Sequence, residues 1–159
     1  MAETMTLIQG KTFQDFEVDG FSSFGARAGA PFVVFLWRTG CPTCRLALPF
    51  FDRLARRYPG ASVVGVSQDD AATTEAYCRE SGVSMRQLID EGLKVSRELG
   101  LVVVPAYAVT DASGEVLEAG NAWDAGKLES IGRIVAERLG VVPEPLVTDA
   151  DEVPAFKPG

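Results

Sequence analysis

The run Phe32-Val33-Val34-Phe35-Leu36-Trp37 constrains this chain more than any other feature. Six apolar residues without a polar break are expected of a strand buried on both faces, because a strand with one wet face alternates. The run stops at Thr39-Gly40, and Cys41-Pro42-Thr43-Cys44 opens a helix. Pro42 suits the first helical position, where its missing N–H would have had no partner. Apolar residues at Ala47, Phe50, Phe51, Leu54, Ala55 and Tyr58 then recur at the spacing of one helix face, with Arg45, Asp52, Arg53 and Arg56 opposite. Pro49 lies inside this helix and is expected to kink it.

The strand-then-helix pattern repeats. Ser62–Ser67 reads as a second short buried strand, and Asp69 or Asp70 can cap a helix that runs to Gly82. Asp90 can cap a short helix closed by Gly100. Leu101–Thr110 reads as a strand entered through Val104-Pro105, turned at Asp111–Gly114, with Glu115–Ala119 as the returning strand of a hairpin. Leu128, Ile131, Val135 and Leu139 share one face of a last helix that ends before Gly140. Residues 1–30 carry weak alternation around Phe13, Phe16 and Val18 and then glycines, which reads as a short strand or arm and a loop. Strands alternating with helices, followed by a hairpin, imply an α/β sandwich with a mixed sheet. Residues 141–159 differ: four of the nine prolines and four acids crowd there, opposed only by Lys157, so the expectation is an acidic, proline-rich tail, extended or disordered.

Composition narrows the chemistry. The chain of 159 residues holds three cysteines and no histidine, which removes serine–histidine triads, cysteine–histidine pairs and imidazole metal ligands. A net charge of -7 is a poor balance for nucleic acid or an anionic membrane, so neither is expected as a partner. The longest apolar run, 31–37, is too short to span a bilayer, and Met1–Gly10 lacks the pattern of a secretory signal. These features point to a cytoplasmic protein.

Cys41 and Cys44 carry the chemistry. At a helix start the unpaired backbone N–H groups and the helix dipole favour a negative sulfur, so the Cys41 thiol is expected to ionise readily, with Cys44 one turn away and able to attack a mixed disulfide on Cys41. Pro42 restrains the turn and removes one N–H, and Thr43 is a polar filler. Residues 21–68 hold six arginines and one acid, so Arg38 and Arg45 are expected to add a positive field at the pair. Arg53, Arg56 and Arg57 read instead as a solvated helix face. Two other readings of the pair stay open here, an inert buried pair and half of a zinc site. Zinc wants four ligands, which one further cysteine and no histidine would leave to carboxylates or a second chain.

Residues 32–45, with Pro49 eight residues after Cys41, resemble the thioredoxin superfamily, most closely its TlpA-like and redoxin (AhpC/TSA-related) branch. Trp37 stands where that family has a tryptophan four residues before the first cysteine. Pro49 matches its helix-kinking proline, Val104-Pro105 its cis-proline, and Gly120 the glycine after its last strand. The resemblance covers about residues 10–140. It implies a thioredoxin-like domain over 1–140, with a central mixed β-sheet flanked by helices on both faces. It also implies disulfide exchange through Cys41 and Cys44 on a docking surface of Trp37, Gly40, Val104 and Pro105, with no metal and no cofactor. The partners implied are a protein or small-molecule disulfide or thiol and a separate electron donor. Three positions depart from the family: Gly40 replaces a bulky residue, and Phe35 and Ala47 stand where relatives carry carboxylates thought to deprotonate the resolving thiol.

Two other functions fit part of this pattern. A peroxiredoxin-like thiol peroxidase would use Cys41 for attack and Cys78, 37 residues later, for resolution. That family's threonine three residues before the attacking cysteine is Arg38 here. A thioredoxin-fold adaptor would instead use the pair as a redox-sensitive latch and the tail as its contact. Cys78 reads as a structural cysteine.

Overall fold

The computed structural model describes residues 7–100 and 103–159. A five-stranded mixed sheet organises the chain, in the order β5-β4-β3-β6-β7. Its centre is β3 (Phe32–Trp37), whose six residues are all buried, as a run without polar breaks requires. β4 (Ser62–Ser67) and β5 (Arg86–Ile89) lie parallel on one side of it. β6 (Ala106–Thr110) and β7 (Val116–Gly120) continue antiparallel on the other. Alternate β3 side chains feed two cores. Val33, Phe35 and Trp37 pack with α2 (Pro42–Arg57), α5 (Ala125–Leu139) and Cys78 of α3 (Ala71–Ser81). Phe32, Val34 and Leu36 pack with Phe13, Phe16, Phe21 and Val95 of α4 (Lys94–Glu98). The α/β architecture with helices on both faces of a mixed sheet is the one expected.

Local chemistry sets the helix ends. Asp70, not Asp69, caps α3 by accepting the Thr73 N–H at 2.7 Å, and Gly82 ends it at φ +70°. Asp124 caps α5 through the Lys127 N–H at 3.1 Å. Asp90 is buried and accepts from the Val95 and Ser96 N–H groups, which organises the start of α4.

Three features depart from the sequence reading. Residues 23–29, expected as loop, form α1 (Ser23–Gly29), preceded by the two-residue hairpin strands β1 (Glu17–Val18) and β2 (Phe21–Ser22). Two glycines, Gly25 inside it and Gly29 at its end, hide this helix from a propensity argument. Tertiary bonds hold it, with Arg27 clamped by the Asp15 carboxylate at 2.8 and 3.0 Å and by the Ala112 carbonyl. The edge strand β5 is four residues long and carries Arg86 and Gln87, too little alternation to announce itself. The strand expected over 101–110 begins at Ala106, with Leu101 and Val102 outside the described residues.

Residues 141–159 run in extended form, broken by one 3-10 turn over Asp149–Asp151, and the segment is packed on the domain. Leu146 is fully buried, its N–H donating to Glu129 at 2.7 Å. Arg53 grips the segment twice, through the Leu146 carbonyl at 2.6 Å and a two-pronged pair with Asp151 at 3.0 Å. Arg57 reaches the Pro145 carbonyl and Glu144. The arginine face of α2, expected to be merely solvated, is in large part the berth of this segment. A strand β8 (Trp123–Asp124) then pairs antiparallel with β9 (Phe156–Lys157).

Candidate functional site

The site forms where β3 ends and α2 begins. Cys41 is the N-cap of α2, with extended backbone, and its Sγ accepts the Cys44 N–H at 3.1 Å. The sulfur thus occupies the place of the side-chain oxygen that usually caps a helix. On its other side Cys41 Sγ lies 3.7 Å from the Val104 carbonyl, and the Val104–Pro105 peptide bond is cis. Cys41, Cys44 and Cys78 are all free thiols. The loop before Cys41 is pinned from three directions: Asp69 accepts the Thr39 N–H at 2.7 Å, Arg45 donates to the Thr39 carbonyl at 2.8 Å, and the Cys41 N–H bonds Arg38 at 3.3 Å. Arg45 therefore braces the loop through its backbone, while Arg38 is exposed beside Gly40.

Cys44 is fully buried. Burial pushes its thiol far above the ordinary range, and a hydrogen bond and the charge of Cys41 push the same way, against a backbone bond and the charge of Arg38. Phe35 and Ala47, which replace the family's carboxylates, are both fully buried, with Phe35 stacked on Phe51 at 4.5 Å. The buried carboxylate of α2, Asp52, is engaged elsewhere. It accepts the Ser84 and Met85 N–H groups at 2.9 and 2.8 Å and pairs with Arg56. Cys78 is raised too, first by burial and then by Asp52. It opens on a separate cleft lined by Asp19, Glu75 and Gln87.

The four expected docking residues do not all face outward. Trp37 is wholly buried, its indole N–H donating to Gln87 at 2.8 Å and its ring tilted on Tyr77, so it cannot touch a partner. Its place in the two-faced strand β3 buries the indole, and Gln87 can reach it because it lies across Gly65, where a Cβ would collide with its amide. Trp37 supports the loop from below. Gly40 is exposed, Val104 half-buried and Pro105 buried. Beside them, Arg38, Gln68, Leu93, Arg97 and Val103 line a cleft of about 470 Å³.

Sequence reasoning missed the residues that close over the site. Thr43, expected as a filler, is buried and its hydroxyl donates to the Pro158 carbonyl at 2.7 Å. Gly159 lies against the Val104 carbonyl and Pro105. Trp123, its ring tilted against Phe50 at 4.8 Å, donates its indole N–H to the Pro154 carbonyl at 2.6 Å. No local signal in 154–159 announces these contacts, because their partners lie 31 to 115 residues away.

The chain resembles known proteins in sequence and fold. Over 90 residues the chain is 28% identical to the thiol-disulfide oxidoreductase ResA of Halalkalibacterium halodurans, covering 54% of this chain and 51% of ResA. It thus spans about half the length of the curated relative it matches. Its backbone superposes with a TM-score of 0.65 on a thiol:disulfide interchange protein from Bacteroides sp., at 19% identity over 82% of this chain and 92% of that one. The structure of MTB dsbF, in mixed oxidized and reduced forms, gives a TM-score of 0.57 at 28% identity, over 73% and 84% of the two chains. The fold is therefore thioredoxin-like. With residues 9–131 matched to the Redoxin family, the chain belongs to that family, within the thioredoxin superfamily.

Proposed function

We propose that this chain is a thiol–disulfide oxidoreductase working through Cys41-Pro42-Thr43-Cys44. The observation that carries the reading is the position of Cys41 Sγ, capped by the Cys44 N–H at a helix start and facing the Val104 carbonyl. An ionised Cys41 sulfur attacks one sulfur of a partner disulfide. A mixed disulfide forms and the partner's other sulfur leaves as a thiolate. Cys44 then gives up its proton and attacks Cys41 Sγ, so the partner departs with both sulfurs reduced and Cys41–Cys44 carries the disulfide. Two electrons have moved to the partner, and a dithiol donor must return them.

Loss of the Cys44 proton is the demanding step, since burial holds that thiol up. Mixed-disulfide formation eases it, because the Cys41 charge that opposes ionisation of Cys44 has then become a neutral bond. This coupling supplies part of what a carboxylate at position 35 or 47 would supply. The likeness to ResA, a thiol-disulfide oxidoreductase, supports the same chemistry, and the partner class we propose is a protein disulfide. Reduction of insulin disulfides with dithiothreitol as donor tests the reading. Cys41→Ser should abolish the rate above background, reduced Cys44→Ser mixed with insulin after removal of dithiothreitol should accumulate a mixed disulfide visible by mass spectrometry, and equal rates for wild type and Cys41→Ser would refute it.

A further inference from the structure

Cys41 is only 4% exposed, although an attacking thiol must meet a partner's sulfur. This chain's own residues 154–159 are bonded to the residues around this site. Trp123 holds the Pro154 carbonyl at 2.6 Å, the Ala125 N–H holds the Ala155 carbonyl at 3.0 Å, β9 pairs with β8, and Thr43 holds the Pro158 carbonyl at 2.7 Å. The last step brings Gly159 against the Val104 carbonyl, the same oxygen that Cys41 Sγ faces at 3.7 Å. A Cβ on Gly159 would stand 2.7 Å from that oxygen and 3.2 Å from Pro105 Cδ, so only a glycine lies this close.

We propose that residues 154–159 are an intramolecular occupant of the groove through which a polypeptide reaches Cys41, and that exchange requires their displacement. The inference rests on Cys41 as the attacking thiol only for its consequence, since occupancy itself is a matter of access. The contacts identify what can compete. Three hydrogen bonds from the domain to the segment end on main-chain carbonyls, of Pro154, Ala155 and Pro158, and β9 adds its backbone pairing with β8. The side chains of Phe156 and Lys157 are exposed, Phe156 at 59%. A groove that reads main-chain carbonyls accepts an extended polypeptide of varied sequence, as strand-addition sites do. A small disulfide offers no such ladder and cannot replace the segment bond for bond.

The segment is also tethered close by. Leu146 and the Arg53–Asp151 pair anchor it upstream, leaving a short reach from Asp151 to the groove. A short tether holds an occupant at an effective concentration on the order of millimolar, so a weak local fit suffices to keep the groove filled. A partner polypeptide must bind better than the segment or arrive while it is away.

The experiment reads access to Cys41, separately from turnover. The reduced full chain, Gly159→Val, and a chain ending at Glu152 are treated with iodoacetamide, and alkylation at Cys41 is followed by peptide mass spectrometry. Expected are a rise of about tenfold or more for the shortened chain, a smaller rise for Gly159→Val, and saturable restoration of protection when a peptide of residues 152–159 is added to the shortened chain. Equal Cys41 rates, within twofold, in the full and shortened chains would overturn the proposal, provided the shortened chain melts cooperatively. If it does not fold, an unchanged rate in Gly159→Val, which keeps the Leu146 anchor, overturns it instead. Insulin reduction is measured in parallel: altered alkylation without turnover in any chain leaves the occupant in place and removes the catalytic reading.

Discussion

Truncating Leu146 to alanine measures how firmly residues 141–159 are held. Leu146 is fully buried, its Cδ1 lies 2.8 Å from where a Cβ on Gly132 would stand, and its own N–H and carbonyl are bonded to Glu129 and Arg53. Leucine-to-alanine changes in cores cost about 2–5 kcal/mol, set by how far the surroundings close on the space. Here the leucine sits at the edge of the core in an extended segment, free to settle against α5, which argues for about 2–3 kcal/mol. In a domain of this size that lowers Tm by roughly 4–12 °C. Urea unfolding of wild type and Leu146→Ala, followed by far-UV circular dichroism, gives the value directly. If the segment opens locally before the domain unfolds, the measured loss is capped at the free energy of docking, and the Trp123 environment changes ahead of the main transition. Arg53→Ala should then be non-additive with Leu146→Ala, because both residues hold the same stretch. A loss below about 0.5 kcal/mol with an unchanged urea slope would refute the packing argument.

Other expectations concern titration. In a Cys41→Ser, Cys78→Ser chain, burial alone should keep Cys44 protonated beyond its ordinary value of 9.0, so alkylation of Cys44 should still climb above pH 9. A profile that levels off at or below that value contradicts the assignment to burial. Asp151 is held from its ordinary 3.8 down to about 2 by the hydrogen bonds from Arg53. Its lowered value means the Arg53–Asp151 pair supports the docked segment fully above about pH 4 and fades as pH falls toward 2. Carbon-13 titration of the Asp151 carboxyl, alongside the Trp123 indole resonance, should show both moving in that window, and a midpoint at or above 3.8 would contradict it.

Much of the site could be read from the order of residues alone. A two-faced apolar strand, a Cys-Pro-Thr-Cys helix start and a later Val-Pro specify which residues can meet, since each is a local pattern with a local cause: burial on both sides, a proline at the first helical position, a cap. The same reading located the missing base, because Phe35 and Ala47 are apolar wherever they lie. What tertiary structure decided was exposure and partnership. Trp37, placed on the docking surface by resemblance, lies beneath it as part of the two-faced strand β3, and its indole N–H finds its acceptor in Gln87, 50 residues on. Arg53 and Arg57, a solvated face by local pattern, became anchors because the acids and carbonyls that satisfy them lie about 90 residues later. Residues 141–159 carry too few apolar groups to fold on their own, so composition reads them as a tail. A buried leucine, the Arg53–Asp151 pair and a set of main-chain carbonyls dock them once the domain supplies a surface, since their bonds form with groups that only the folded sheet and helices bring together.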